Sequence, residues 1–370
     1  MKNIVNLGNV ATYINGYAFK PSDWAEDGTP IIRIQDLTGN SYQMNRFKGI
    51  VDSKYDVNSG DVLISWSASL GVYVWNRGNA VLNQHIFKVV FDKEEVDKDF
   101  FVFQIDNLLK RAANQAHGAT MRHLTKPVFD ALPFYLPDIK TQRLISSKLN
   151  LIVHLIEDHH EQLKKLDELI RSRFIEMFGD LINEPKYPGI KLGSLGIMIT
   201  GGTPSRKHDE YYGGNIPFIS TPCLGSNFIS EKNVQNYLTE AGVKNSATHK
   251  IPPYSLMVGN RVGVGKSSIN TCEMCTNQDI LSFVHIDTSR FDLLFLKKVI
   301  DQYSPYFDEH KRGATIQGVP SKVIKDSMVP DVPLEMQKRY TALVKQSDKS
   351  KYGGTIFLRL LEDIRICCNI

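Results

Sequence analysis

The chain repeats itself, and that constrains its fold more than any other feature. Pro30-Ile31-Ile32-Arg33-Ile34 returns as Pro217-Phe218-Ile219-Ser220-Thr221, with Leu37 and Leu224 following at the same distance. Asn83-Gln84-His85-Ile86 returns as Asn277-Gln278-Asp279-Ile280. Each is followed by an alternating apolar run, 87–91 and 281–286, the pattern of a half-buried strand. His117-Gly118-Ala119-Thr120 returns as Arg312-Gly313-Ala314-Thr315, and Pro137 with Gln142 returns as Pro333 with Gln337. The separation drifts only from about 187 to 195 residues. One such match could be chance; four in the same order imply a duplicated domain.

A different kind of segment lies between the copies. No Gly or Pro occurs from 138 to 178. Ile145, Leu149, Ile152, Ile156, His159, Leu163, Leu166, Ile170, Arg173 and Met177 follow one another at spacings of four and three, a heptad seam interrupted only by His159 and Arg173. Gly179 stands where a helix ends. A helix of this length, about 60 Å at 1.5 Å per residue, cannot hide its own apolar seam and needs a partner helix. Pro333-Leu334-Glu335-Met336-Gln337 opens the candidate partner, with the proline suited to a first turn. The expected order is globular domain, long helix, globular domain, helix.

Composition excludes several classes. A hydrophobic fraction of 42% with 23% charged residues permits a core in each half. No stretch approaches the ~18 apolar residues that span a membrane, and the N-terminus lacks a signal-peptide pattern, so a cytoplasmic protein is expected. The net charge of +4 permits a nucleic-acid partner without requiring one. Cys272 and Cys275 form a single C-x-x-C, short of the two ligand pairs of a structural zinc site, so no metal is expected.

Catalytic motifs are incomplete. Arg261-Val262-Gly263-Val264-Gly265-Lys266-Ser267 resembles a phosphate loop, but Asn260 stands where its first glycine belongs. Ile251-Pro252-Pro253-Tyr254 resembles an amino-methyltransferase motif, but isoleucine cannot accept a hydrogen bond from a target amine. No spacing assembles paired carboxylates or a Ser-His-Asp or Cys-His set, so no catalytic residue is assigned. What remains is a display of polar and basic groups around glycine-rich turns. In the first half these are Arg33, Gln35, Ser65, Ser67, Arg77, Gln84, His117, Thr120 and Arg122, with Trp66, His85 and His123 beside them. In the second they are Ser220, Thr221, Arg261, Lys266, Ser267, Gln278, Lys311, Arg312, Thr315 and Gln317, with Arg206, Lys207 and Asn260. Arg, Gln and Asn pair bidentately with base edges, whereas Lys, Ser and Thr more often hold phosphates. Both clusters are therefore candidate DNA-binding surfaces.

Three elements resemble the specificity subunits of type I restriction-modification systems, over about residues 1–350. Gly60-Asp61-Val62-Leu63-Ile64-Ser65 is similar to a turn-strand element of that family, with a degenerate second copy around Tyr254-Ser255-Leu256-Met257-Val258-Gly259. Gly118-Ala119-Thr120 and Gly313-Ala314-Thr315 resemble an element near the end of each recognition domain. Arg171-Ser172-Arg173-Phe174-Ile175-Glu176-Met177-Phe178-Gly179-Asp180 looks like the family's central conserved region. The resemblance implies an α+β fold: two duplicated mixed α/β target recognition domains joined by long antiparallel coiled-coil helices with a pseudo-two-fold. It implies domain limits of 1–139 and 181–333, a spacer helix at 140–180 and a C-terminal helix at 334–370. Because Gly353 and Gly354 suit a long helix poorly, that last helix is expected to be truncated or altered after about 352.

The same resemblance implies a non-catalytic subunit that binds double-stranded DNA at a bipartite target. Its partners would be two methyltransferase subunits and motor-nuclease restriction subunits. This chain would carry no cofactor; the partner subunits would use S-adenosylmethionine, ATP and Mg. A rigid rod would hold the two domains on half-sites about one helical turn apart, roughly 34 Å. The alternatives are a coiled-coil scaffold that binds no DNA, or a DNA-recognition subunit of another restriction type.

Overall fold

The computed structural model describes residues 3–41, 43–67, 69–115, 125–234, 236–313 and 317–368. The chain divides into two compact units, Met1–His160 with Thr355–Ile370, and Glu161–Gly354. Each long helix passes from one unit into the other.

Two larger sheets carry the frame of the first unit. In one, the strands Thr12–Asn15, Ile86–Val90, Val62–Ser65 and Gly71–Val74 pair in that order, all antiparallel. The other is built on the parallel pair Thr29–Ile32 and Ala80–Leu82. Alternation along Ile86–Val90 puts Phe87 and Val89 on one face, where they meet Val62, Ile64 and the helix Lys98–Gln115 through Phe101, Ile105 and Leu109. A two-stranded ladder, Ile4–Asn6 with Pro133–Tyr135, closes the unit.

The second unit repeats this plan. Ile197–Thr200, Ile280–Val284, Leu256–Gly259 and Ser267–Asn270 take the same order and are likewise antiparallel. Tyr212–Ile219 and Met274–Thr276 form the parallel pair. Gly189–Lys191 with Met328–Pro330 is the closing ladder, and Leu293–Glu309 is the helix packed on the sheet through Phe295, Val299 and Ile300. The duplication read from four short patterns therefore extends to strand order, pairing direction and helix placement.

The two glutamines of the repeat make the same clamp. Gln142 lies in the first turn of the helix Ile139–Phe178; its Oε1 accepts from the Asp97 amide at 2.9 Å, and its Nε2 donates to the carbonyls of Pro137 at 2.8 Å and Glu95 at 3.3 Å. Gln337 lies in the first turn of Leu334–Cys368; it accepts from the Asp292 amide at 2.9 Å and donates to Val332 at 2.9 Å and Arg290 at 3.1 Å. Asp97 and Asp292 each then bond the third amide of the sheet-packed helix, Phe100 and Phe295, both at 3.0 Å. The carbonyl equivalent to that of Pro137 belongs to Val332, so Pro333 stands one residue beyond the position the sequence comparison gave it.

The seam of the central helix is as its spacing predicts. All ten positions from Ile145 to Met177 are buried or half-buried, His159 and Arg173 included. Within the second unit the two long helices run antiparallel: Tyr340 Oη donates to the Ile170 carbonyl at 3.4 Å, and Lys351 pairs with Asp167. In the first unit the His159 ring packs edge-on against Phe357 at 4.8 Å. The C-terminal helix runs unbroken through Gly353 and Gly354 to Cys368. Each glycine costs about 1 kcal/mol relative to alanine, but burial of Leu358 and Leu361 opposes that cost. A Cβ at Gly354 would come within 3.3 Å of Leu163, so the glycine also admits close approach of the facing helix. Among the described residues no helix is long and apolar enough to cross a membrane.

Gln337 is fully buried, and its truncation strands one amide and two carbonyls. At about 1–3 kcal/mol per orphaned group, with partial relaxation, Gln337→Ala should cost about 2–4 kcal/mol. The measurement is the urea midpoint of the second unit's unfolding transition, which should fall clearly below that of the unmodified chain.

Candidate nucleic-acid interface

The repeated Asn-Gln pattern is a turn at the same point of both frames. It leaves the parallel pair and enters the next antiparallel strand. The Asn83 amide donates to the Ile32 carbonyl at 3.1 Å, and the Asn277 amide to the Ile219 carbonyl at 3.0 Å. The preceding chain crosses so closely that a Cβ at Gly16 would lie 2.1 Å from the Asn83 oxygen, and one at Gly201 2.3 Å from the Asn277 oxygen. Only glycine allows that crossing. Gln84 and Gln278 are thereby held at equivalent places. The buried Oδ1 atoms of Asn83 and Asn277 both lack a hydrogen-bond partner among the described residues.

The third residue of the turn separates the units chemically. His85 has a φ of 73° and packs 5.1 Å from Trp66, whose Nε1 donates to Asn15 Oδ1 at 3.2 Å. Asp279 accepts from Asn277 Nδ2 at 3.1 Å and faces Arg261 Nη1 at 3.6 Å.

Two adjoining cavities open beside the turn in the second unit. One, of about 530 Å³, is lined by Thr203, Arg206, Asp209, Ser220, Asn236 and Gln278 among others. Thr203 Oγ1 donates to Gln278 Oε1 at 2.5 Å. The other, of about 480 Å³, takes Gln278 as a shared wall and adds Asn260, Arg261 and Arg312. Ser220, Arg261, Gln278 and Arg312, scattered over 93 positions of sequence (312 − 220 = 92 intervals), are thus gathered at one end of the sheet. Sequence reasoning missed Thr203, Asn236 and Asp279. The Gly201-Gly202-Thr203-Pro204 turn was a signal for the first; nothing local marks Asn236.

Other candidates are placed differently. Lys266 is exposed on the tight hairpin after Gly259, and Gln317 is exposed. Lys311 pairs with Asp308 at 2.6 Å. In the first unit Arg33 stacks over Trp24 at 5.2 Å and donates to Asn45 Oδ1 at 3.3 Å, with half-buried Gln35 in the same turn. Arg77 is exposed beside Trp75 at 5.6 Å. His117, Thr120, Arg122 and Thr315 lie outside the described residues, as does His123.

Four expected surface groups are buried: Ser65, Ser67, Thr221 and Ser267. Ser65 bonds the carbonyls of Ser69 and Gly71. Ser267 donates to Asp301 Oδ1 at 3.2 Å, and the same carboxylate holds buried Lys297 at 2.8 Å. Burial pushes the Lys297 ammonium below its usual range against the pull of Asp301. Ser65 and Ser267 stand on strands buried along their whole length, and Thr221 opens the turn after Tyr212–Ile219, so these hydroxyls serve the interior.

The loop resembling a phosphate loop uses its amides internally. Gly259 donates to the Lys266 carbonyl at 2.8 Å and Gly265 to the Gly259 carbonyl at 2.9 Å. Cys275 is buried, with its thiol pushed up to about 11. Among the described residues, no three His, Cys, Asp or Glu side chains cluster as metal ligands.

Known proteins share this frame. Residues 2–168 and 187–352 each match the family described as type I restriction modification DNA specificity domain. Over 170 residues the chain is 25% identical to the type I restriction enzyme EcoBI specificity subunit of Escherichia coli, covering 45% of this chain and 35% of that one. The matched stretch is thus about a third of that relative. A chain from a structure on complex assembly and conformational transition of the type I R-M system has a TM-score of 0.66 at 14% identity, covering 99% of this chain and 96% of that one. The type I restriction-modification system S subunit from M. genitalium has a TM-score of 0.54 at 12% identity, covering 99% and 94%. At these identities the structural likeness concerns the fold.

Ser267 provides a contrast with the exposed cations. Ser267→Ala should lower stability by about 1 kcal/mol through loss of one buried hydrogen bond. Duplex affinity, followed by fluorescence anisotropy beside a denaturation curve, should stay within about twofold.

Proposed function

The chain belongs to the type I restriction modification DNA specificity family, whose domain it carries twice, and from that premise we propose that it is the sequence-specific DNA-binding subunit of a type I restriction-modification complex. It recognises a bipartite double-stranded target, one half with each unit. It carries no catalytic residue of its own and positions two methyltransferase subunits and the restriction subunits, which supply S-adenosylmethionine, ATP and Mg chemistry. Its place of action is the cytoplasm.

The observation that carries this reading is the equivalent Asn-Gln turn at the end of the antiparallel sheet in both units, flanked in the second by two polar cavities, one of them cationic. A phosphate-contacting shell around base-reading groups is how sequence-specific proteins divide the task. The half-buried Arg33, Gln84 and Ser220 and the exposed Arg77, Arg261, Lys266, Gln278, Arg312 and Gln317 are assigned to that surface. The four buried hydroxyls are not.

Modularity is the test. Residues 181–333 contain a complete set of strands, clamped helix and cavities, so base discrimination of about 1–3 kcal/mol per bidentate contact is local to them. Exchanging these residues for the equivalent domain of a relative should change one half of the methylated sequence and leave the other half, and the spacer, as they were. Methylome sequencing of a host carrying the chimera gives the answer. Simultaneous change of both halves would refute the assignment, and so would methyl transfer by the purified chain without partners.

A further inference from the structure

The two cavities beside the Gln278 turn differ in charge, and the difference is built into the backbone. Arg312 and Gly318 exchange both main-chain hydrogen bonds, at 2.8 and 2.9 Å. The next amide, Val319, donates to the Asn260 carbonyl at 2.7 Å. The segment carrying Arg312 is therefore fastened to the hairpin carrying Arg261. Gly318 makes this possible: a Cβ there would lie 2.7 Å from Arg261 Cγ and 2.8 Å from the Asn260 oxygen. Two arginines 51 residues apart (312 − 261) are thus brought to one concave site.

Among the described residues, the walls of that site contain no acidic side chain. Of the two guanidinium groups, Asp279 reaches that of Arg261 alone, at 3.6 Å. Arg312 has no carboxylate partner among the described residues. Two guanidinium groups against one carboxylate leave the cavity cationic, and a guanidinium fork matches the oxygens of a phosphate. The adjoining cavity is unlike it. Arg206 and Asp209 both line that one, so its charges balance, and with Ser220, Asn236 and Gln278 they make a mixture of donors and acceptors suited to a base edge.

We propose that Arg261 and Arg312 together hold a single backbone phosphate of the duplex, so that Gln278, on the wall shared by both cavities, meets the base edge beside that phosphate. This inference rests on the DNA-binding reading above. The contact is sequence-independent and sets the register of the base-reading cavity.

The experiment is duplex binding by the full-length chain, titrated over salt, with Arg261→Ala, Arg312→Ala and the double variant. Each phosphate neutralised adds about 0.9 to the log–log salt slope. Each single variant should weaken binding on the order of tenfold, on target and unrelated duplexes alike. The double variant should lose about 0.9 of slope, not the ~1.8 expected of two separate phosphates. A duplex with one neutral methylphosphonate, moved along the site, should reveal one position that weakens the unmodified chain and leaves the double variant unaffected. The double Arg→Lys variant keeps the charge and so should keep the slope, which separates a lost contact from a lost fold. A double-variant loss near 1.8, the absence of any such methylphosphonate position, or a loss confined to the target sequence would overturn the shared phosphate while the DNA reading stands. Salt-independent binding, or none, by the unmodified chain would overturn both.

Discussion

The whole arrangement depends on a buried glutamine that appears once in each unit. Gln142 and Gln337 each tie three backbone groups to the first turn of a long helix. One of those groups is the amide of the aspartate that caps the sheet-packed helix. The start of one helix and the start of another are thereby fixed by a single side chain. A buried amide with three satisfied bonds tolerates little displacement, because each lost partner costs as much as several methylenes of burial. The long helices accordingly leave their domains in a defined direction.

Beyond the clamp, the second unit secures the helices with aromatic packing. Phe174 and Phe178 of the central helix meet Phe295 of the sheet-packed helix and Tyr340 of the C-terminal helix, with ring centroids 4.9–6.1 Å apart. Phe174, Phe178, Phe295 and Tyr340 are all fully buried. The heptad spacing in the sequence disclosed the seam residues but not Phe174 or Phe178, which lie off the seam and face the domain. A helix that serves two neighbours needs two apolar faces, and a single-period search finds one.

Local patterns made the frame legible; long-range pairing hid the site. Strands, turn and clamp recur because the same short sequences recur. Tyr254 shows how a repeat degenerates without changing the fold. It takes a φ of 61° where the first copy has Gly60 at 99°, so the left-handed turn persists although its glycine signature is gone. The cavities are different in kind. Arg312 reaches Arg261 through main-chain bonds at Gly318 and Val319, and Asn236 reaches Gln278 across the sheet. None of those proximities leaves a spacing in the sequence. Buried Ser65 and Ser267 follow from the same limitation: polarity suggested exposure, but each stands on an interior strand buried along its whole length.

An equal frame with unequal fittings has a consequence for recognition. At the third position of the repeated turn, the first unit has a histidine packed on Trp66, and the second has an aspartate facing Arg261. A histidine against an indole leaves no carboxylate to orient a guanidinium, and the position equivalent to Arg261 is the buried Ser67. The second unit can therefore offer a cationic cavity that the first unit cannot form from the same positions. Base readout depends on which donors and acceptors reach the groove, not on the sheet that carries them. On the DNA reading proposed above, duplicated scaffolds with different side chains at matched positions are expected to select different bases, which would make the two half-sites unlike.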